Sequence, residues 1–190
     1  MRDIDTQLLN AARTGDYEDA STAINSGAAV SVKEVGKSNS SDEGFAYNYT
    51  PLHWAAYRVH ETDSSDHLAV ATLLIQNGVE LNAQDHSGQT PLHWAIRAGN
   101  TDIATLLIKN GAELNAQDHL GQTPLYWAIR AGNAYIVKLL IEEGADVNAK
   151  DNIGQTPLFW AIKLRIHDLY KLYAELGKMR YINVLLMILI

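Results

Sequence analysis

The stretch Thr90-Pro-Leu-His-Trp-Ala-Ile-Arg-Ala-Gly99 is followed, 33 residues on, by Thr123-Pro-Leu-Tyr-Trp-Ala-Ile-Arg-Ala-Gly132. A later copy reads Thr156-Pro-Leu-Phe-Trp-Ala-Ile-Lys-Leu-Arg165, and an earlier one Thr50-Pro-Leu-His-Trp-Ala-Ala-Tyr-Arg58. These four copies hold all four prolines of the chain (Pro51, Pro91, Pro124, Pro157) and all four tryptophans (Trp54, Trp94, Trp127, Trp160). Each Trp lies three residues after its Pro, and the prolines are spaced 40, 33 and 33. Two scarce residue types do not fall into lockstep by chance. A fixed period between about 20 and 50 residues marks an array of stacked units.

A second block follows each copy: Leu73-Leu-Ile-Gln-Asn-Gly78, Leu106-Leu-Ile-Lys-Asn-Gly111 and Leu139-Leu-Ile-Glu-Glu-Gly144. Then come Leu81-Asn-Ala-Gln-Asp85, Leu114-Asn-Ala-Gln-Asp118 and Val147-Asn-Ala-Lys-Asp151. Thr is a helix N-cap, and Pro fits the first helical position because its missing N–H costs nothing there. Leu92 and Ala95, with Ala104, Leu107 and Ile108, give an apolar stripe at helical spacing on two short helices. Gly99 and Gly132 permit the turn between them, and Gly78, Gly111 and Gly144 end the second helix, with positive φ expected. The Asp-x-x-Gly segments (Asp85–Gly88, Asp118–Gly121, Asp151–Gly154) read as turns leading to the next unit.

A helix–turn–helix plus a hairpin-like turn every 33 residues, with Thr-Pro-Leu-His at the first helix, resembles the ankyrin repeat. The resemblance covers nearly the whole chain and implies an all-α solenoid. Carried backwards, the frame finds a degenerate unit at Thr6-Gln-Leu-Leu-Asn-Ala-Ala-Arg-Thr-Gly15, its second helix ending at Asn25-Ser-Gly27. Gln7 and Asn10 replace the Pro and Trp there, as suits a terminal repeat facing water. Five units are expected in one elongated domain over residues 5–177: about 5–32, 50–83, 84–116, 117–149 and 150–177.

Departures from the period mark where function is sought. Thr6 to Thr50 is 44 residues, and the excess lies at 33–49, a Ser/Asn/Gly-rich stretch finishing Phe45-Ala-Tyr-Asn-Tyr49. Phe45, Tyr47 and Tyr49 alternate, so an extended chain would put them on one face. A second excess falls at 59–66, between the two helices of its unit. Insertions of this kind map to loops, and arrays often bind through them. Arg165 takes the place of the inter-helix Gly, and residues 178–190 form an apolar C-terminal segment, too short to span a bilayer. That segment either seals the last hydrophobic face, touches a membrane or another copy, or marks a chain cut short of further sequence.

The composition narrows the chemistry. The 190 residues carry a net charge of −7 and no cysteine, so disulfides, thiolate metal sites and cysteine nucleophiles are excluded. An acidic balance argues against a general nucleic-acid binder. No readable secretory signal opens the chain. His60-Glu61-Thr-Asp-Ser-Ser-Asp-His67 begins like the helical zinc-protease motif, but the second His would have to stand where Ser64 does. It reads as a solvated acidic loop, with weak cation binding as the alternative, and the resemblance also aligns His67 with the residue after the inter-helix Gly, often His in that family. His86 and His119 occupy equivalent places on turns about 10 Å apart, too far for both to reach one metal without bending together. No phosphate-cradling loop, nucleophile elbow or catalytic carboxylate pair is present, so no enzyme, cofactor or metal is expected.

The resemblance assigns further roles. The four Trp stand where family members usually carry Leu, so packing between first helices is the expectation, with partial exposure leaving some as binding anchors. His53 and His93 stand where the family ties adjacent repeats through the imidazole, a tie lost at Tyr126 and Phe159. The ends of the first helices, which line the concave groove in this fold, carry Arg13, Tyr57, Arg97, Arg130 and Lys163, with Arg58 adjacent. Either these are solvated helix-end cations favoured by the helix dipole, or they form a basic stripe that meets an acidic partner.

The expected function is therefore a protein-binding module. Its partner-binding set comprises that column, the turn-tip residues His86, Ser87, Gln89, His119, Leu120, Gln122, Asn152, Ile153 and Gln155, and the aromatics Phe45, Tyr47 and Tyr49. A membrane-surface or anion-binding adaptor, using the apolar tail and the column, is the alternative. The resemblance also implies that Asn82, Asn115 and Asn148 are open to asparaginyl hydroxylation. The chain is expected to be a monomer, in the cytoplasm or delivered into a host cell without a cleavable signal.

Overall fold

A computed structural model describes residues 2–34, 47–57 and 64–164. Helices α1 (Asp3–Thr14) and α2 (Tyr17–Asn25) form the first unit, and α3 (Pro51–Ala56) and α4 (Ser64–Gln76) the second. Helices α5 (Pro91–Arg97) and α6 (Thr101–Lys109) form the third, α7 (Pro124–Arg130) and α8 (Ala134–Glu142) the fourth, and α9 (Pro157–Lys163) opens the fifth. The described residues hold no strand, only one antiparallel bridge between Glu34 and Tyr49. The result is an all-α solenoid in which each first helix packs on the next first helix and each second on the next second.

The start signals act as expected at α3, α7 and α9. The hydroxyls of Thr50, Thr123 and Thr156 accept from the backbone N–H three residues on, with Pro at the first helical position. The second helices have caps of a kind the repeat frame did not flag. Asn100 and Asn133 accept from the N–H of Ile103 and Ile136, satisfying one orphan donor at each helix start.

Apolar columns run through the stack. Leu8, Leu52, Leu92 and Leu125 hold one position of successive first helices and are buried, as are Leu74, Leu107 and Leu140 of the second helices. Ala11, Ala55, Ala95, Ala128 and Ala161 form a third buried column, where a missing side chain lets first helices approach closely. Burying each Leu contributes roughly 1.5–3 kcal/mol, and no unit can do so without a neighbour.

Two boundaries differ from the sequence reading. Thr6 is not a cap: α1 begins at Asp3, and the Thr6 hydroxyl donates back to the Arg2 carbonyl from inside the helix. Asp3 and Asp5 in the first turn favour that extension through the helix dipole, and Asp5 is bonded to Arg2 at 2.8 Å. The insertion at 59–66 is not all loop, because Ser64–Asp66 begin α4. His67 then lies inside α4 and is buried, and its Nε2 donates to the Arg13 carbonyl at 3.2 Å. It is a tie between the first two units, not part of a solvated loop. Phe45, Arg58, Arg165 and the 178–190 segment lie outside the described residues.

Candidate functional site

The groove is built on the Asp of each turn. In Asp85, Oδ1 accepts the backbone N–H groups of Ser87 and Gln89, closing the turn, while Oδ2 accepts the indole N–H of Trp94 at 2.9 Å. Asp118 repeats this with Leu120, Gln122 and Trp127, and Asp151 with Ile153, Gln155 and Trp160. One carboxylate thus fixes a finger turn and locks it to the first helix of its own unit. The constant nine-residue interval from Asp to Trp carried this signal in the sequence. At the first indole that interval would fall on Phe45, and Glu34 serves instead: its Oε2 takes the Trp54 indole N–H at 2.9 Å. The pairing of Glu34 with Tyr49 across the insertion brings that carboxylate into place.

The Trp row is therefore more than packing between units. Trp94 is buried at 9% exposure, but Trp54, Trp127 and Trp160 are half-buried along the groove. Trp94 is closed in by aromatics: Tyr49 at 4.8 Å, Tyr57 at 5.3 Å and Trp54 at 6.1 Å between ring centroids. Tyr126 sits against Trp160 at 5.3 Å, so the residue that replaces the tying His packs forward on the next unit's indole.

Three cations of the column, Arg13, Arg130 and Lys163, lie on indoles. The Arg13 guanidinium is 4.0 Å from the Trp54 ring centroid and 3.0 Å from Glu34. Arg130 lies 5.1 Å from Trp127, and Lys163 lies 4.6 Å from Trp160 and 5.8 Å from Phe159. Arg97 donates to the Gln89 side-chain oxygen at 3.1 Å. Arg97, Trp127, Arg130 and Ala131 line an open hollow of ≈ 420 Å³. Among the described residues, Arg13 alone of the column cations has a carboxylate within ion-pair distance.

The turn tips join into a ladder. The carbonyls of Tyr47, Ser87 and Leu120 accept from the N–H groups of His86, His119 and Asn152, at 3.2, 2.9 and 3.0 Å. The approach is close enough that a Cβ on Gly121 would stand 2.7 Å from the Asn152 nitrogen, at φ +75, where only glycine is comfortable. His86, His119, Asn152, Leu120 (61%) and Ile153 (73%) are exposed, and Ser87 and Gln155 are half-buried. Gln89 and Gln122 are buried, which takes them out of the exposed tip surface; their carbonyls receive the inter-unit imidazoles. Tyr47 and Tyr49 stack at 5.5 Å, on one side as expected but by another route. Asn48 between them is left-handed, at φ 54, so the run is not extended.

His53 and His93 tie their units forward. Each Nδ1 accepts the backbone N–H of the capping Thr, which places the proton on Nε2, and Nε2 donates to Gln89 and Gln122 at 3.0 and 3.2 Å. Burial lowers both pKa values, that of His53 to about 4, so both rings are neutral at pH 7. A second set of ties links successive units. Ser31, Asn82 and Asn115 accept from the N–H groups of Glu80, Glu113 and Asp146, and Asn148 is exposed.

A family model for ankyrin repeats matches residues 5–118 and 115–179. The chain belongs to the ankyrin-repeat family. Ankyrin repeats generally mediate protein–protein interaction and are typically non-enzymatic. Similar curated proteins include palmitoyltransferase ZDHHC17 of Homo sapiens and of Danio rerio. Each is 44% identical over 55 residues, 28% of this chain and 8% of the relative. Rabankyrin-5 of Homo sapiens is 36% identical over 90 residues, 45% of this chain and 7% of the relative. The chain thus spans less than a tenth of the length of these relatives, and the likeness is one of ankyrin repeats. Among the described residues no group of three His, Cys, Asp or Glu is placed to hold a metal, and no helix is long and apolar enough to cross a membrane.

Proposed function

We propose that this chain is a non-enzymatic module that binds a partner protein along its concave groove, through an acidic surface of that partner. The observation that carries this reading is the set of three exposed cations, Arg97, Arg130 and Lys163, which find no internal carboxylate among the described residues although the whole chain is acidic. A charge left unpaired on a rigid, already ordered face costs little to present, and complementary charge raises association rate and specificity. The exposed tips His86, His119, Leu120, Asn152 and Ile153 form the flanking contact edge, and Tyr47 extends it onto the insertion.

The test is the double variant Arg97→Glu, Arg130→Glu. Both side chains are exposed, so the thermal melt should stay within a few degrees of wild type. Affinity for a partner isolated by affinity chromatography should fall about tenfold or more, measured by calorimetric titration. An unchanged affinity removes the groove from the account.

A further inference from the structure

We infer that the partner offers an extended acidic segment with a carboxylate at every third residue, docked across Arg97, Arg130 and Lys163. This rests on the acidic-partner reading above and specifies the ligand's form. The column has two unlike halves. At its N-terminal end Arg13 is bonded to Glu34 and Tyr57 takes the next place, so among the described residues no unpaired cation of the column stands there. Arg97, Arg130 and Lys163 follow at 33-residue intervals, all exposed and without a carboxylate partner among the described residues.

The hollow between Arg97 and Arg130 has the Trp127 indole as one wall. It suits a side chain with a short apolar stem and an anionic end, lying on the ring and reaching a guanidinium on either side. The two arginines are held differently. Arg97 sits on the Gln89 oxygen, whereas Arg130 lies over its indole and leaves the buried Oε1 of the equivalent Gln122 without a hydrogen-bond partner. A guanidinium that moves to Gln122 would clear the indole face for the ligand and satisfy that acceptor, so part of the cost of rearrangement is offset.

Spacing selects the ligand's conformation. Stacked helices repeat at about 8–10 Å. A polyproline II segment returns a side chain to the same face every third residue, after about 9.3 Å. A β-strand returns after about 6.7 Å, out of step with the column. A helix returns to the same face after seven residues, about 10.5 Å, beyond the repeat of the column.

The experiment measures fluorescence anisotropy with the full chain and capped, labelled peptides of equal net charge. In a proline-rich background, one carries three Glu at every third position and a second carries them contiguously; a third, in an alanine-rich, helix-forming background, carries them seven apart. The first should bind at least about fivefold tighter than the others, a margin within reach of three exposed ion pairs. That margin should vanish in Arg97→Gln, Arg130→Gln protein whose melt matches wild type. Equal affinity of the three peptides, or preference for either comparison peptide, overturns the inference. It does so even where the native partner still needs Arg97 and Arg130, which would leave the groove reading intact. Tighter binding of a single-stranded oligonucleotide than of the third-position peptide also overturns it.

Discussion

Trp127 performs two physical tasks that the residue type alone did not announce. Its ring lies beneath the Arg130 guanidinium, and its N–H satisfies the Asp118 carboxylate that already holds a turn. Asp118 is buried, so its Oδ2 cannot exchange the indole for water at no cost. Trp127→Phe keeps most of the apolar surface and deletes that donor. It should lower stability by about 1–3 kcal/mol in urea unfolding, with little change in m-value. Trp160→Phe, beside the half-buried Asp151, should cost less. Equal midpoints for Trp127→Phe and wild type would show that the bond carries no net stability. The sequence displayed the Trp positions plainly, and from them the architecture. It did not display the bond, because a spacing of nine acquires meaning only when the turn folds back on its own helix. At Trp54 it gave no hint, since Glu34 enters from across a 14-residue gap before Tyr49.

Between elements, the ties are mostly imidazole and amide to backbone. His53 and His93 are neutral in the folded stack, with pKa values lowered by burial, against about 6.5 in an unfolded chain. The unfolded state therefore binds more protons as pH falls. Their contribution is present above pH ~6.5 and is lost as pH drops towards about 4 for His53. Each can add up to about 1.4 kcal/mol per pH unit to the slope within that window. Replacing His93 by Gln should lower stability at pH 7 and flatten the stability–pH curve below pH ~6.5, followed by chemical denaturation. An unaltered slope would remove His93 from the acid response. The Thr-Pro starts and glycine stops of these helices were legible because they are local. The earlier start of α1 and of α4 was not, since both accompany contacts distant in sequence: Asp5 also accepts the Ala29 N–H within its own unit, and His67 reaches Arg13 of the unit before.

At the scale of the whole molecule, the repeat makes a rigid scaffold and its irregularities make a polarised groove. The 33-residue period sufficed to place the column on one face, because every unit stacks in the same orientation. It could not tell that Arg13 is ion-paired at one end while Arg97, Arg130 and Lys163 have no carboxylate partner among the described residues, since Glu34 belongs to the insertion and not to the repeat. It also placed Gln89 and Gln122 among the exposed tips, whereas folding turns both inward beneath the imidazole ties. The central claim is that these three cations draw an acidic partner, and salt tests it most directly because exposed charge pairs are screened at about 8–10 Å near physiological ionic strength. The measurement is the partner's association rate over a series of salt concentrations, for wild type and for Arg97→Gln, Arg130→Gln, Lys163→Gln. The account predicts a wild-type rate that falls steeply with salt and a much flatter one for the variant, the two converging at high salt. Equal salt dependence in both proteins would contradict it.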